Sequence, residues 1–255
     1  MTAHAVADGR DGRPGPARAR LLVVVAVAAE AEAVLRGLPG GSAALPLPGA
    51  TLHRGAEVPV DVLAAGVGPA AAAAAASAAL AAHPYALAVS AGIGGGFAPH
   101  APVGATVLAD AIVAADLGAE TPEGFADVAE LGFGTVRHLP PPAAVALLGP
   151  ALGAVVGPVL TVSTVTGSAG RAAELAARHP GAAAEAMEGF GVAEAAARYG
   201  VPALELRTVS NPVGPRDRAA WRIGEALAAL ERAFAALPVH ELAATPYPIE
   251  EAGRG

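Results

Sequence analysis

Three polar side chains stand where the sequence otherwise reads as buried apolar structure. Glu30 follows a continuous apolar run, residues 21–27, after only Ala28 and Ala29. Glu188 stands among Met187, Gly189, Phe190 and Gly191 in an alanine-rich stretch. Asn211 closes a strand-like run, residues 203–209, directly after Ser210. An ionised carboxylate is costly to bury unless something binds it, and strand ends in α/β proteins are where ligands sit. Each residue also has a plainer reading. Glu30 suits a helix N-terminus, where the dipole favours an acid. The glycines flanking Glu188 suit a close helix contact, and Asn211-Pro212 is a turn signal.

Two glycine loops follow strand-like runs: Gly66-Val-Gly-Pro69 and Ser90-Ala-Gly-Ile-Gly-Gly-Gly96. Such loops bring backbone N–H groups close to a ligand, although sharp turns need glycine in any case. Neither is a dinucleotide fingerprint, which needs Gly-x-Gly-x-x-Gly opening a helix. Arg207, Arg216 and Arg218 crowd the region around Asn211, and a planar guanidinium suits carboxylate recognition or an ion pair with Glu205 or Asp217. The seven histidines show no metal-ligand spacing, so no metal is expected. Phe133, Phe190 and Trp221 read as core residues, one of which is available to stack on a ring.

The elements that must position these groups alternate in type. Strands are expected at residues 21–27, 58–65, 87–90, 104–109, 155–165 and 203–209. Helices are expected at 30–38, 70–82, 143–149, 169–179 and 182–199, the last closed by Gly200 and Pro202. Ile223, Leu227, Leu230, Phe234 and Leu237 mark an amphipathic C-terminal helix. Alternation of this kind predicts a three-layer α/β sandwich, and the long 155–165 run predicts a sheet that is not purely parallel.

At 255 residues a single large domain is expected. It is assigned to residues 21–240, between a disordered extension at 1–20 and a C-terminal tail at 241–255. The mean hydropathy of +0.49 is high, but alanine supplies much of it. The charge-free stretches 62–82 and 86–109 are broken by turn chemistry, so neither offers the roughly 20 continuous apolar residues of a spanning helix. The net charge is −7 and the chain has no lysine or cysteine. With no basic patch outside the N-terminal segment, nucleic-acid binding is not expected, and thiolate chemistry is impossible. The segment 1–20 lacks a signal-peptide core, which predicts a cytoplasmic protein.

Met187-Glu188 and Ser210-Asn211 together resemble the ribose- and base-binding elements of the nucleoside phosphorylase/nucleosidase superfamily. The run Ser210-Asn-Pro-Val-Gly-Pro-Arg-Asp-Arg218, with Trp221 just after it, is similar to the futalosine hydrolases, a menaquinone-pathway branch of that superfamily. The resemblance spans residues 21–237 and implies a mixed central sheet flanked by helices. It implies that Glu30 activates water, with Glu32 as the neighbouring alternative. It places Met187 under the sugar and gives Glu188 the 2′- and 3′-hydroxyls, which the two oxygens of a carboxylate accept together. Ser90 and Gly92 fall in a loop lining the ribose side, and Ser210 and Phe190 belong to the same pocket. Arg207 either orients Glu188 or, like Arg216 and Arg218, is available to a benzoate carboxylate.

The resemblance also separates activities. Phosphorolytic members hold phosphate with arginines near the glycine loops, and residues 66–108 contain none; this favours water as nucleophile. Nucleosidases that cleave 6-aminopurines carry an aspartate where Asn211 stands, whereas phosphorylases of 6-oxopurines carry an asparagine. An amide donates to a C6 carbonyl, and a carboxylate only accepts. The implied function is therefore hydrolysis of futalosine to hypoxanthine and dehypoxanthinyl futalosine by a homo-oligomer without a cofactor. A purine nucleoside phosphorylase, a methylthioadenosine/S-adenosylhomocysteine-type nucleosidase and a non-catalytic nucleoside sensor are the alternatives.

Overall fold

The structure is a computed structural model that describes residues 20–247. All but Arg20 of the extension expected at 1–20, and residues 248–255 of the expected tail, lie outside it. In chain order the elements are β1 (Leu21–Val25), α1 (Ala28–Gly37), β2 (Ser42–Leu47), β3 (Ala50–Gly55), β4 (Val60–Ala64), α2 (Pro69–Ala82), β5 (Leu87–Gly96) and β6 (Thr106–Ala114). Then come β7 (Gly118–Thr121), β8 (Gly124–Asp127), β9 (Arg137–His138), α3 (Pro142–Leu152), β10 (Val155–Thr161), α4 (Ala169–Arg178) and β11 (Ala184–Ala186). The chain ends with α5 (Gly189–Arg198), β12 (Ala203–Pro212), α6 (Ile223–Ala235) and α7 (Val239–Ala244).

The main sheet runs β11-β10-β6-β12-β5-β1-β4-β3-β2. Strand β1 is central and lies parallel to β4 and β5. Its residues are buried on both faces, as an unbroken apolar run requires. Leu21, Val23 and Val25 pack into one core with Leu230 and Phe234 of α6, while Leu22 and Val24 face Ala72 and Ala76 of α2 and Val192 of α5. Helices therefore cover both faces of a mixed sheet, the three-layer arrangement expected from the sequence.

The mixed character arises elsewhere than in the 155–165 run. β10 stops at Thr161 and is parallel to both its neighbours. The antiparallel pairings are β12–β6, β11–β5, β6–β9 and the β2–β3–β4 meander. Because Ala184 and Glu185 of β11 also pair with Gly96 and Gly95, the strands β5, β12, β6, β10 and β11 close on themselves. A Cβ at Gly94 would lie 2.8 Å from the Glu185 carbonyl oxygen, so the closure needs glycine there.

Two local expectations are corrected. Residues 182–199 are not one helix: Ala184–Ala186 is a strand, and Met187-Glu188 is the turn between it and α5. Alanine's helix propensity hides a three-residue strand that only pairing with β10 and β5 creates. Phe133 is not core; it is 80% exposed.

Candidate active site

The carboxyl ends of β1, β5, β11 and β12 meet at a cavity of about 310 Å³, large enough for a nucleoside-sized ligand. Glu30, Met187, Glu188, Ser210 and Asn211 all line it. Five residues spread over 182 positions of chain thus come to one place because parallel strands open a crevice at their carboxyl ends. A larger, open cavity of about 640 Å³ lies by the β7–β8 hairpin, between Asp116, Phe125, Arg171 and Glu174. Arg171 and Glu174 are ion-paired there at 2.6 Å, and none of the residues singled out from the sequence borders it.

Glu30 stands both at the start of a helix and on the wall of the cavity. Its Oε2 accepts from the backbone N–H of Ala26 (2.9 Å) and Val27 (3.2 Å), which fixes the start of α1. Its Oε1 accepts from the Ile93 N–H at 2.9 Å, across the crevice on β5. Three donors thus aim a buried carboxylate at the cavity. Glu32 is not among the cavity's lining residues.

Glu188 sits at the N-terminus of α5. Its Oε1 accepts from the Gly68 N–H at 3.1 Å, and its Oε2 lies 3.4 Å from Nη1 of Arg207. Arg207 is fully buried behind the cavity. Its Nε donates to Glu205 Oε1 at 2.9 Å and its Nη2 to Ser90 Oγ at 2.8 Å. The arginine is therefore occupied by Glu205, Ser90 and Glu188, consistent with orienting Glu188 and out of reach of a ligand's benzoate. Gly92 is needed here: a Cβ would fall 2.6 Å from Glu30 Oε1 and 2.8 Å from Arg207 Nη1. Ser90 and Gly92 thus lie behind the cavity wall, and Ile93, Gly94 and Gly95 form that wall.

The two glycines beside Glu188 admit protein rather than ligand. A Cβ at Gly189 would overlap the Glu205 carboxylate, and one at Gly191 would overlap the Pro69 carbonyl. Glu205 is fully buried, and its Oε2 has no hydrogen-bond partner among the described residues. Burial pushes its carboxyl up to about 7, despite the opposing pull of Arg207. The carboxylates around Arg207 in turn outweigh its own desolvation and raise its pKa.

At the other end of the cavity, Ser210 Oγ donates to Asn211 Oδ1 at 2.8 Å, and Asn211 Nδ2 donates to the Pro212 carbonyl at 3.0 Å. One amide N–H and one oxygen lone pair remain for a ligand. Trp221 lines this end, with the Arg216 guanidinium 5.4 Å from its ring centre. Phe190 is elsewhere: it packs in the core, its ring 5.1 Å from that of His138, and its N–H donates to Thr161 Oγ1. The aromatic ring available to a bound base is that of Trp221.

Sequence reasoning missed Glu185 and Thr166, both of which line the cavity. Thr166 donates to Glu185 through its N–H at 2.8 Å and through its hydroxyl. Burial raises the Glu185 carboxyl, and the Thr166 bonds work against that rise. The available signal was a second acid three residues before Glu188, masked by reading the stretch as helix.

A family model described as the phosphorylase superfamily matches residues 20–243. The chain is 65% identical over 227 residues to futalosine hydrolase of Streptomyces coelicolor, covering 87% of this chain and 96% of that protein. It is 51% identical to futalosine hydrolase of Acidothermus cellulolyticus, covering 85% and 89% respectively. Among solved structures, futalosine hydrolase of Helicobacter pylori superposes with a TM-score of 0.75 at 16% identity, covering 86% of this chain and 97% of that one. At that identity the last likeness concerns the fold alone.

Proposed function

The chain belongs to the phosphorylase superfamily, and we propose that within it the protein is a futalosine hydrolase. It cleaves the N-glycosidic bond of futalosine and releases hypoxanthine and dehypoxanthinyl futalosine, a step of menaquinone biosynthesis. The observation that carries this reading is the 65% identity to the Streptomyces coelicolor enzyme over 96% of its length. One cavity joining Glu30, Glu188 and Asn211 supports it.

As the glycosidic bond breaks, positive charge builds on the sugar and negative charge on the departing base. Glu30 takes a proton from the water that attacks C1′, and the three N–H donors keep its oxygens aimed. Glu188 accepts from the ribose hydroxyls and supports the developing cation electrostatically. The bond electrons leave with the purine, which takes up a proton at N7 from solvent while the Asn211 amide holds its polar edge, and Glu30 returns to solvent the proton it took from water, so the two transfers balance. Trp221 covers the base end.

The absence of arginine from residues 66–108 supports water over phosphate as nucleophile. The proposal includes a homo-oligomer in the cytoplasm, with no cofactor. No helix among the described residues is long and apolar enough to cross a membrane.

The test is to incubate purified protein with futalosine, inosine and methylthioadenosine, with and without phosphate, and to measure free base. Phosphate-independent release of hypoxanthine from futalosine is expected. A phosphate requirement with a sugar-1-phosphate product would assign phosphorolysis, and binding without turnover would assign a sensor.

A further inference from the structure

Glu205 is a fully buried carboxylate to which the reaction described above gives no role. It is the register partner of Ser90 across β12 and β5, and Arg207, two residues on, is the partner of Gly92. Residues two apart on a strand project to the same face. Glu205, Ser90 and Arg207 therefore share one side of the sheet, and Gly92 leaves the fourth place there without a side chain. The Arg207 guanidinium is tied to the row behind its own. Its Nε donates to Glu205 Oε1 at 2.9 Å and its Nη2 to Ser90 Oγ at 2.8 Å.

Those two bonds set how near the arginine comes to the acid that faces the ligand. Nη1 stops 3.4 Å from Glu188 Oε2, and among the described residues it has no hydrogen-bond partner. The contact is an ion pair without a hydrogen bond. Glu188 instead accepts from backbone N–H groups, Gly68 on Oε1 at 3.1 Å and Met187 on Oε2 at 3.3 Å. Each oxygen thus keeps a lone pair. A guanidinium released from Glu205 would be drawn forward, because two parallel N–H bonds to one carboxylate are its strongest pairing. Closed on Glu188, it would occupy the lone pairs that ribose hydroxyls need.

Glu205 is costly for a residue that only fills the core. Burial pushes its carboxyl up to about 7, and among the described residues its Oε2 has no hydrogen-bond partner. It also requires glycine at position 189, where a Cβ would overlap the carboxylate. Apolar residues of similar volume often stabilise a core as well as a buried ion pair does, or better. The arrangement is therefore poorly explained by stability.

We propose that Glu205 is a positioning residue for the sugar site: it holds Arg207 by Nε, short of a direct bond to Glu188, and so keeps Glu188 free to accept ribose hydroxyls. Arg207 then lends positive charge to Glu188 without occupying it. The inference rests on the proposed function for the sugar ligand, but not for the hold on Arg207.

The test compares kcat/KM on futalosine and on its 2′-deoxy analogue for wild type, Glu205→Met and Glu205→Gln, beside a crystal structure of Glu205→Met. Met fills the space but cannot accept from Nε. Futalosine should lose roughly 30-fold in kcat/KM and the deoxy analogue only about threefold, so the preference for the 2′-hydroxyl contracts about tenfold. In the crystal structure Nη1 should move from 3.4 Å to hydrogen-bond distance of Glu188. Gln, which keeps an acceptor for Nε but not the charge, should fall between. Equal slowing of both substrates in folded Glu205→Met would reveal a merely structural residue and overturn the proposal. So would unchanged kinetics, or an Arg207 that stays in place in the variant. If Glu205→Met does not fold, Glu205→Gln decides: an undiminished hydroxyl preference overturns the proposal. Arg207 closing on Glu188 in the variant, with no futalosine cleavage by wild type, would sink the functional reading and leave the role of Glu205 standing. Cleavage by wild type with an unmoved Arg207 in the variant would do the reverse.

Discussion

Two buried acid–arginine clusters sit at opposite ends of the same parallel strands, and they differ in whether they close. At the starting end, Asp61 of β4 is fully buried, opposite Leu22 of β1. Arg20 reaches it at 2.7 Å, Arg54 at 3.0 Å, and the Tyr85 hydroxyl donates to it at 2.9 Å. Arg20 Nη2 also donates to backbone carbonyls, among them Val60 at 3.0 Å. Burial and the adjacent Asp61 raise the Tyr85 pKa, and the Asp61 hydrogen bond raises that of Arg54. At the carboxyl end, Glu30, Glu188 and Glu205 surround Arg207, and among the described residues Glu205 Oε2 and Arg207 Nη1 have no hydrogen-bond partner. A cluster that satisfies its own charges holds the fold together. The second keeps two of its carboxylates, Glu30 and Glu188, on the wall of the cavity, where a ligand can reach them.

The comparison is tested most severely at Glu30. Glu30→Gln keeps shape and most backbone contacts but removes the base. Turnover of futalosine should fall roughly 100- to 10,000-fold with little change in binding, as read by steady-state kinetics. An unchanged rate would show that the open cluster is not catalytic.

Asp61→Ala should do the opposite. Breaking a buried, paired charge costs about 3–5 kcal/mol, so thermal or denaturant unfolding should report a large loss of stability. The folded fraction should keep its kcat. Activity lost in fully folded protein would erase the distinction between the two clusters.

Asn211→Asp tests the far end of the cavity. The ratio of aminofutalosine to futalosine cleavage should rise by roughly 100-fold, because a carboxylate accepts from an amino group and repels a carbonyl. Equal slowing of both substrates in folded protein would reduce Asn211 to a residue that ends its strand.

The smallest effect belongs to Glu205. Its folded pKa, pushed from 4.5 to about 7, means that the folded state holds its proton more tightly than the unfolded chain. Its contribution to stability is therefore complete below about pH 4.5 and is lost as pH rises towards about 7. Melting temperatures of wild type and Glu205→Gln across that window should show a decline in wild type that the variant lacks. Parallel curves would mean that Arg207 already neutralises the acid.

The alternation of strands and helices, the burial of β1 on both faces and the C-terminal amphipathic helix were legible in the sequence, which also singled out Glu30, Met187-Glu188 and Ser210-Asn211, all of which line one cavity. These are local signals: periodicity, turn chemistry and polar residues stranded in apolar runs. That Ala184–Ala186 is a strand emerged with the assembled sheet, because its pairs lie on β10 and β5, far away in sequence. The same contacts decided the rest of the site. Arg207 turned out to be enclosed by Glu205, Ser90 and Glu188, Gly189 to make room for a carboxylate 16 residues ahead, and Phe190 to face the core. Glu185 entered the cavity through a register with Gly95 that no window of sequence contains. Periodicity records which face of an element is buried. What a buried polar group touches depends on long-range pairing, and that is fixed only when the strands assemble.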